Sequence, residues 1–308
     1  MEWDIITAGL VAMARAATPL IFAAIGELVV EKSGVLNLGV EGMMLGGAVT
    51  GFAVLSVTGE PVLGIGAAML AGALLAALFG LLTLKLLANQ VAAGLALTIF
   101  GVGLSAFLGR DFIGQPAAGI APLHIPGLSD LPFVGPVLFG QDPLVYLALV
   151  SVAAVSWFLF RTRSGLILRA VGENHDAAHA IGHDVIAIRF RAVLFGGAMA
   201  GLGGAYLSLV YTPMWVEDMS AGRGWIALAL VVFATWRPAR VLVGAWLFGG
   251  LTILQLHIQG LGVDLPSQLT SMLPYIATIV VLVLISRDAT RIRLNAPAAL
   301  GKVFHPGG

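Results

Sequence analysis

Three histidines, His175, His179 and His183, recur every four residues in the stretch RAVGENHDAAHAIGHDV, 169–185, among Arg169, Glu173, Asp176 and Asp184. On an unbroken helix the three imidazoles would share one face, a spacing that can hold a metal ion. Gly182 interrupts that helix before the third histidine, and the chain has no cysteine to complete a site. The acidic neighbours suit a water-facing surface, so no metal is expected. The plainer reading is a short amphipathic helix with a wet face and a dry face of Ala170, Ala177, Ala178, Ala180 and Ile181. Such a helix needs something to pack against: the membrane, the rest of the chain, or a groove in a partner.

Asn37 and Glu41, in VVEKSGVLNLGVEGMM, 29–44, form a second group. Four residues apart, they lie one above the other on a helix face. Glu41 falls inside an apolar run, and a carboxylate within a bilayer is costly and marks a candidate functional site. Three roles stay open for it: a solute or proton contact, a buried hydrogen-bonded cap, or a partner for Arg15. Asn89 and Gln90 mark a turn between two apolar runs, either as interfacial caps or as the mouth of a pathway. In YTPMWVEDMSAGRGWIALALVVFATW, 211–236, Pro213 ends one span and a short apolar segment begins at Gly224 and Trp225. A short broken helix would aim its N-terminal dipole into the protein, which suits a ligand or ion near mid-depth. Trp215, Trp225 and Trp236 fit that pathway or an interfacial aromatic belt.

The elements that must position these groups follow from composition. The chain has 308 residues, 59% of them hydrophobic and 10% charged, with a mean hydropathy of +0.99. Apolar segments fall at about 5–29, 35–57, 61–86, 91–109, 143–160, 187–211, 222–235, 239–258 and 269–286, and most are long enough to span a bilayer core. The alternation of a transmembrane barrel is absent. The expectation is an all-α polytopic membrane protein with 8–9 transmembrane helices, one of them, 222–235, short or broken. The whole chain, 1–308, reads as one membrane domain with a loop at 110–142, a second at 161–190 and a tail at 287–308. Small residues at four-residue spacing, such as Gly72, Ala76 and Gly80, or Gly197 and Gly201, let helix backbones approach closely within the chain. The stretches 59–75 and 236–252 echo each other, a proline and then glycines in an apolar run, which would fit an inverted repeat.

Lys and Arg set the orientation. Placing 161–191 in the cytoplasm puts 13 of the 16 basic residues inside, the N-terminus outside and the C-terminus inside. The acidic start, MEWDIITAGL, is unlike a cleavable signal peptide. A net charge of zero gives nucleic acid no attraction.

The segment GLILRAVGENHDAAHAIGHDV resembles the coupling-helix loop of permease subunits of bacterial ABC importers. VLNLGVEGMM and GRGWIALALVVFATWRPARVLVGAWLFGG resemble the nucleoside-importing, simple-sugar-type branch of the branched-chain amino acid/ribose permease superfamily, over about 20–300. The resemblance implies a type II-like importer fold in a bacterial inner membrane. It implies a heterodimeric pore with a second permease subunit, a cytoplasmic ATPase that grips the coupling loop, and an extracytoplasmic substrate-binding lipoprotein. By matching positions, Gly172, Glu173, Asn174, Asp176, Ala177, Ala178 and Gly182 fall on that loop. His175 stands where a proline is common, and His179 and His183 are outside the pattern. The chain has no GxxxxGK[ST] phosphate-binding loop, so ATP and Mg belong on the partner and no cofactor is expected here.

Two alternatives remain. One is the same machine carrying sugars, branched-chain amino acids or autoinducer-like molecules. Another is an ion-coupled secondary transporter using Glu41 and Glu27. An intramembrane enzyme would need a motif such as HExxH or GxSxG, and neither occurs.

Overall fold

The computed structural model describes residues 2–260 and 295–305, with isolated positions between 272 and 283. Among the described residues ten α-helices follow one another: α1 (Glu2–Lys32), α2 (Val40–Thr58), α3 (Pro61–Gly80), α4 (Gln90–Gly109), α5 (Pro143–Arg161), α6 (Arg163–Glu173), α7 (His175–Ala180), α8 (Val185–Tyr206), α9 (Arg223–Phe233) and α10 (Pro238–Gly260). Seven of them, α1 to α5, α8 and α10, are long and apolar enough to cross a membrane; α9 is apolar but too short. No strand forms among the described residues, only isolated bridges pairing Ile113 with Trp215 and Pro116 with Met214. The all-α polytopic architecture expected from hydropathy is therefore observed. The ninth apolar segment, 269–286, lies outside the described residues.

The helix boundaries follow from local chemistry. Pro61, Pro143 and Pro238 open α3, α5 and α10, at the position where a missing N–H costs nothing. Side-chain oxygens of Asn89, Asp142, Thr162, Asn174 and Asp184 cap the first turns of α4 through α8. Both halves of the 59–75 and 236–252 echo thus begin at a proline-led helix.

The long helices sort into an inner set and an outer ring. In the most apolar windows, 72% of α2 and 78% of α8 is buried, against 28% of α10 and 33% each of α3, α4 and α5. Glycine lets the inner helices touch. A Cβ on Gly47 would lie 2.4 Å from Gly201 Cα, one on Gly72 2.1 Å from the Gly197 carbonyl, and one on Gly204 1.9 Å from the Met44 carbonyl. The small-residue spacings are contacts within the chain, where van der Waals packing replaces the hydrophobic effect that lipid cannot supply.

One end of the bundle carries α6 and α7; the other carries the 110–142 connection. That connection holds two single turns, Arg110–Phe112 and Gly135–Phe139, and is tied to the segment after α8 by Ala117 N–H donating to the Pro213 carbonyl and Ile120 N–H to the Leu209 carbonyl. Beneath it, Asp142 accepts from Tyr206 Oη at 2.9 Å and lies 3.9 Å from Arg15 Nε.

Candidate pathway and coupling sites

Glu41 is only 4% exposed and reaches the start of α9. Its Oε1 accepts from Ser220 Oγ at 2.6 Å and from Gly222 N–H at 2.8 Å, and its Oε2 accepts from Gly224 N–H at 2.5 Å. The carboxylate therefore satisfies two orphan amides of the helix N-terminus and faces the positive end of its dipole. Arg15, the alternative partner, sits on Asp142 instead. Of the roles left open by the sequence, the buried cap is the one this geometry fills.

The depth of this cap follows from three contacts. Thr98 Oγ1 donates to the Leu38 carbonyl at 2.9 Å, and Thr98 lies about 12 Å along α4 from its start at about 1.5 Å per residue. Asn37 N–H donates to Glu27 Oε1 at 3.1 Å, so the connection 33–39 climbs back beside α1 before α2 begins. At its far end α9 is followed by Trp236, whose indole N–H donates to Glu31 Oε2 at 2.5 Å. The 11-residue α9 thus covers about 16 Å, roughly half of a bilayer core. It runs from mid-depth to the α6–α7 end. Asp218, Ala221, Thr235 and Trp236, on either side of it, adopt positive φ, a conformation that favours glycine and is found where function holds a backbone under strain.

The other pathway candidates divide. Asn37 is buried and shapes its own turn, its Oδ1 accepting from Gly39 N–H at 2.9 Å and its Nδ2 facing Met43 Sδ at 3.6 Å. Gln90 is buried, and its Oε1 accepts from Leu36 N–H at 2.8 Å. Its Nε2 and Glu27 Oε2 have no hydrogen-bond partner among the described residues. Asn89 is exposed and caps α4 through Ala92 N–H at 3.0 Å. Trp225, on the first turn of α9, is 37% exposed, whereas Trp215 and Trp236 are buried and belong to the packed interior rather than to an aromatic belt. Glu41, Asn37 and Gln90 are brought together around the 33–39 connection; Asn89 is not.

At the α6–α7 end the polar loop stands outside the bundle but is fastened beneath. Gly172 is buried, and a Cβ there would lie 2.2 Å from the Lys32 carbonyl. Asn174 caps α7 by accepting from Ala177 N–H at 2.9 Å. Gly182, at φ +94, ends the helix with open space around it. Glu173, Asp176, Ala177 and Ala180 are exposed, and Ile181 is 74% exposed. Ala178 turns inward, so only part of the expected alanine face packs on the chain and the rest is presented outward.

The histidines do not converge. His175 and His179 both meet the Phe304 ring edge-on, at 5.4 and 5.3 Å between centroids. His183 instead lines a cleft of about 530 Å³ with Val155, Leu168, Arg191 and Met199. No group able to hold a metal ion forms among the described residues. The cleft is apolar and shares no residue with the Glu41 cluster. His175 is 8% exposed, and burial followed by the charge of Arg189 pulls its pKa below the ordinary imidazole value. Its place at the first position of α7 is where proline is favoured on general grounds.

Several residues of these sites carried little sequence signal. Arg189, Ser220 and Phe304 are the main ones. Arg189 alone left a trace, as a charge at the edge of an apolar span. The amides of Gly222 and Gly224 that meet Glu41 are backbone groups with no side-chain signature.

Fold and sites define a polytopic membrane bundle with an apolar helix too short to span, α9, and an exposed polar loop at one end. Residues 9–282 match the family described as the permease component of the branched-chain amino acid transport system, and the chain belongs to that permease family. It is 43% identical over 311 residues, 94% of each chain, to a glucose ABC transporter permease protein, provisionally so named, of Haloferax volcanii. It is 35% identical to the nucleoside ABC transporter permease protein of Lactococcus lactis subsp. cremoris, covering 87% of this chain and 88% of that one. It is 33% identical to the guanosine ABC transporter permease protein of Bacillus subtilis, covering 86% and 88%. No solved structure matches the chain.

Proposed function

We propose that this chain is the membrane-spanning subunit of an ATP-driven importer, one half of a pathway for a neutral, hydroxyl-bearing solute of the nucleoside or sugar class. The observation that carries the reading is the α6–α7 loop. It exposes an apolar side chain, Ile181, on the same loop as the exposed acids Glu173 and Asp176. A short exposed helix fastened to the bundle at Gly172, with apolar and acidic side chains facing outward, suits a protein partner's groove. The partner is a cytoplasmic ATPase that carries ATP and Mg. A second permease subunit and an extracytoplasmic binding lipoprotein complete the assembly in a bacterial inner membrane. The α6–α7 end then faces the cytoplasm, in keeping with Lys32, Lys85, Arg161, Arg163, Arg237 and Arg240 at that end.

The solute class rests on electrostatics. The buried Glu41 carboxylate is already engaged by three donors, and Arg15 lies beside Asp142. Arg223, on the first turn of α9, donates to the Met219 and Ser220 carbonyls and lies over the Tyr211 ring, so the charges around the start of α9 already have partners within the chain. Trp225, exposed on the first turn of α9, offers an aromatic face on which a base or a sugar ring can stack. The names of the relatives divide between glucose and nucleosides, and nucleosides are the narrower proposal.

The test is uptake of labelled uridine, guanosine and glucose into cells with and without the chain. Uptake of one of them that also needs ATP supports the reading. Substituting Glu173 with a bulky residue should leave the membrane domain folded, since it is exposed, while ATP hydrolysis ceases to drive uptake; the same change at Gly182 should uncouple too, with added strain in the turn because its φ is +94. Normal coupled uptake in both variants would count against the docking role.

A further inference from the structure

Three stretches far apart in sequence meet at the α6–α7 end: the connection 33–39, the loop 172–184 and the tail 295–305. One buried side chain ties them together. Arg189, on the second turn of α8 and 1% exposed, donates through Nε to the Ser33 carbonyl at 3.1 Å and through one terminal nitrogen to the Lys302 carbonyl at 3.2 Å. Its other terminal nitrogen lies 3.1 Å from His175 Nδ1. A guanidinium is a rigid planar fork, so three acceptors held this way cannot move independently of one another.

The backbone repeats the pattern. Ala299 N–H donates to the Gly172 carbonyl at 2.9 Å, and Gly301 N–H to the Gly34 carbonyl at 3.1 Å. Lys32 Nζ donates to the Asn295 carbonyl at 2.6 Å. Phe304, 6% exposed, closes the tail against His175 and His179. The tail is thus a strap lying across both the loop and the connection. Beyond the strap, the connection continues through Asn37 to Glu41, whose carboxylate holds the N-terminus of α9.

We infer that Arg189 and the Phe304 strap are a positioning linkage, which carries displacement of the α6–α7 loop to the 33–39 connection and so to the mid-depth start of α9. The inference rests on the proposed docking of an ATPase at that loop. Neither residue needs to touch ATP or solute. Their task is to make the loop and the connection move as one body, so that α9 shifts when the ATPase closes. A buried, strongly hydrogen-bonded node is suited to this, because it switches between discrete arrangements rather than stretching.

The experiment uses the complete transporter, purified with its ATPase, second permease and binding protein and reconstituted in vesicles. Uptake of whichever of uridine, guanosine and glucose the wild type imports is measured per ATP hydrolysed, alongside the amount of ATPase that co-purifies. Phe304→Ala and Arg189→Lys should keep the ATPase bound but lower uptake per ATP by about five- to tenfold, the low end of inter-site coupling. Phe304→Tyr, which keeps the ring, should restore the ratio. Because the chain has no cysteine, His179→Cys with Phe304→Cys can be bridged by a short bifunctional thiol reagent, and bridging should recouple what the Phe304 change uncoupled. An unchanged ratio in Phe304→Ala overturns the linkage, and so does loss of the ATPase itself from that variant, which would make the strap a docking scaffold. A wild type that never retains an ATPase overturns the docking reading, and the linkage with it.

Discussion

Glu41 does at mid-depth what a serine or aspartate does at the start of a soluble helix, but from 179 residues away along the chain. Three donors converge on it in a site that water does not reach, so removing the acceptor strands them. Glu41→Ala should cost about 1–3 kcal/mol for the groups left unpaired, read as a lowered melting temperature in detergent, and Glu41→Gln should cost less. A melting curve unmoved by Glu41→Ala would mean that the cap adds nothing. The inner glycines give a second comparison. Gly204→Ala forces a Cβ to 1.9 Å from the Met44 carbonyl, whereas Gly66→Ala meets nothing within 4 Å. The first should destabilise by about 1–3 kcal/mol or more; the second should be neutral or gain up to about 1 kcal/mol. Sequence alone marked Glu41 as out of place but could not choose between pathway and cap, since its partners are mostly backbone amides.

At the scale of elements, α9 is too short to be stable by itself in any solvent that competes for its amides. Its ends are held by Glu41 and by the pairing of Trp236 with Glu31. Hydrogen exchange should therefore show the amides of 222–233 losing protection in Glu41→Gln while those of α10 keep theirs. Equal loss across both helices would point to global rather than local opening. The strap is the second such element. His175 is held neutral beside Arg189, with Asp176 at 3.5 Å and Lys302 also facing it. Its pKa is lower in the folded state than in the unfolded, so the unfolded state binds more protons at mildly acid pH. The stability it contributes is complete above about pH 6.5, the ordinary imidazole value, and is lost as pH falls through the folded pKa. Exchange protection of 299–304 should fall on acidification, and His175→Gln should remove that dependence. Long spans were legible because sustained hydropathy is a local pattern. The short length of α9 was legible too, but what occupies its N-terminus was not. The tail was invisible as a strap, since an apolar phenylalanine near a terminus carries no periodicity, and the histidine spacing, read as part of a water-facing surface with no metal, gave no sign that His175 and His179 meet Phe304.

At the scale of the molecule, the account requires the α6–α7 end in the cytoplasm. The absence of native cysteine makes this direct to check. A membrane-impermeant maleimide added to intact cells should label Leu128→Cys in the 110–142 connection and spare Ile181→Cys; the reverse pattern would invert the topology. The family and the membrane class were readable from hydropathy and from the quoted motifs, because a bilayer imposes strong and simple rules on a sequence. The solute was not, because the polar side chains of the candidate pathway, Asn37, Glu41 and Gln90, direct their hydrogen bonds to the chain itself.

The measurement that tests the central claim most directly places a photoreactive residue at Ile181 in the native membrane and identifies what it captures. The account predicts a covalent adduct with a cytoplasmic ATPase that disappears when the same residue is placed at Val62, at the opposite end of the bundle. Capture of lipid alone at Ile181, with no ATPase adduct, would contradict it.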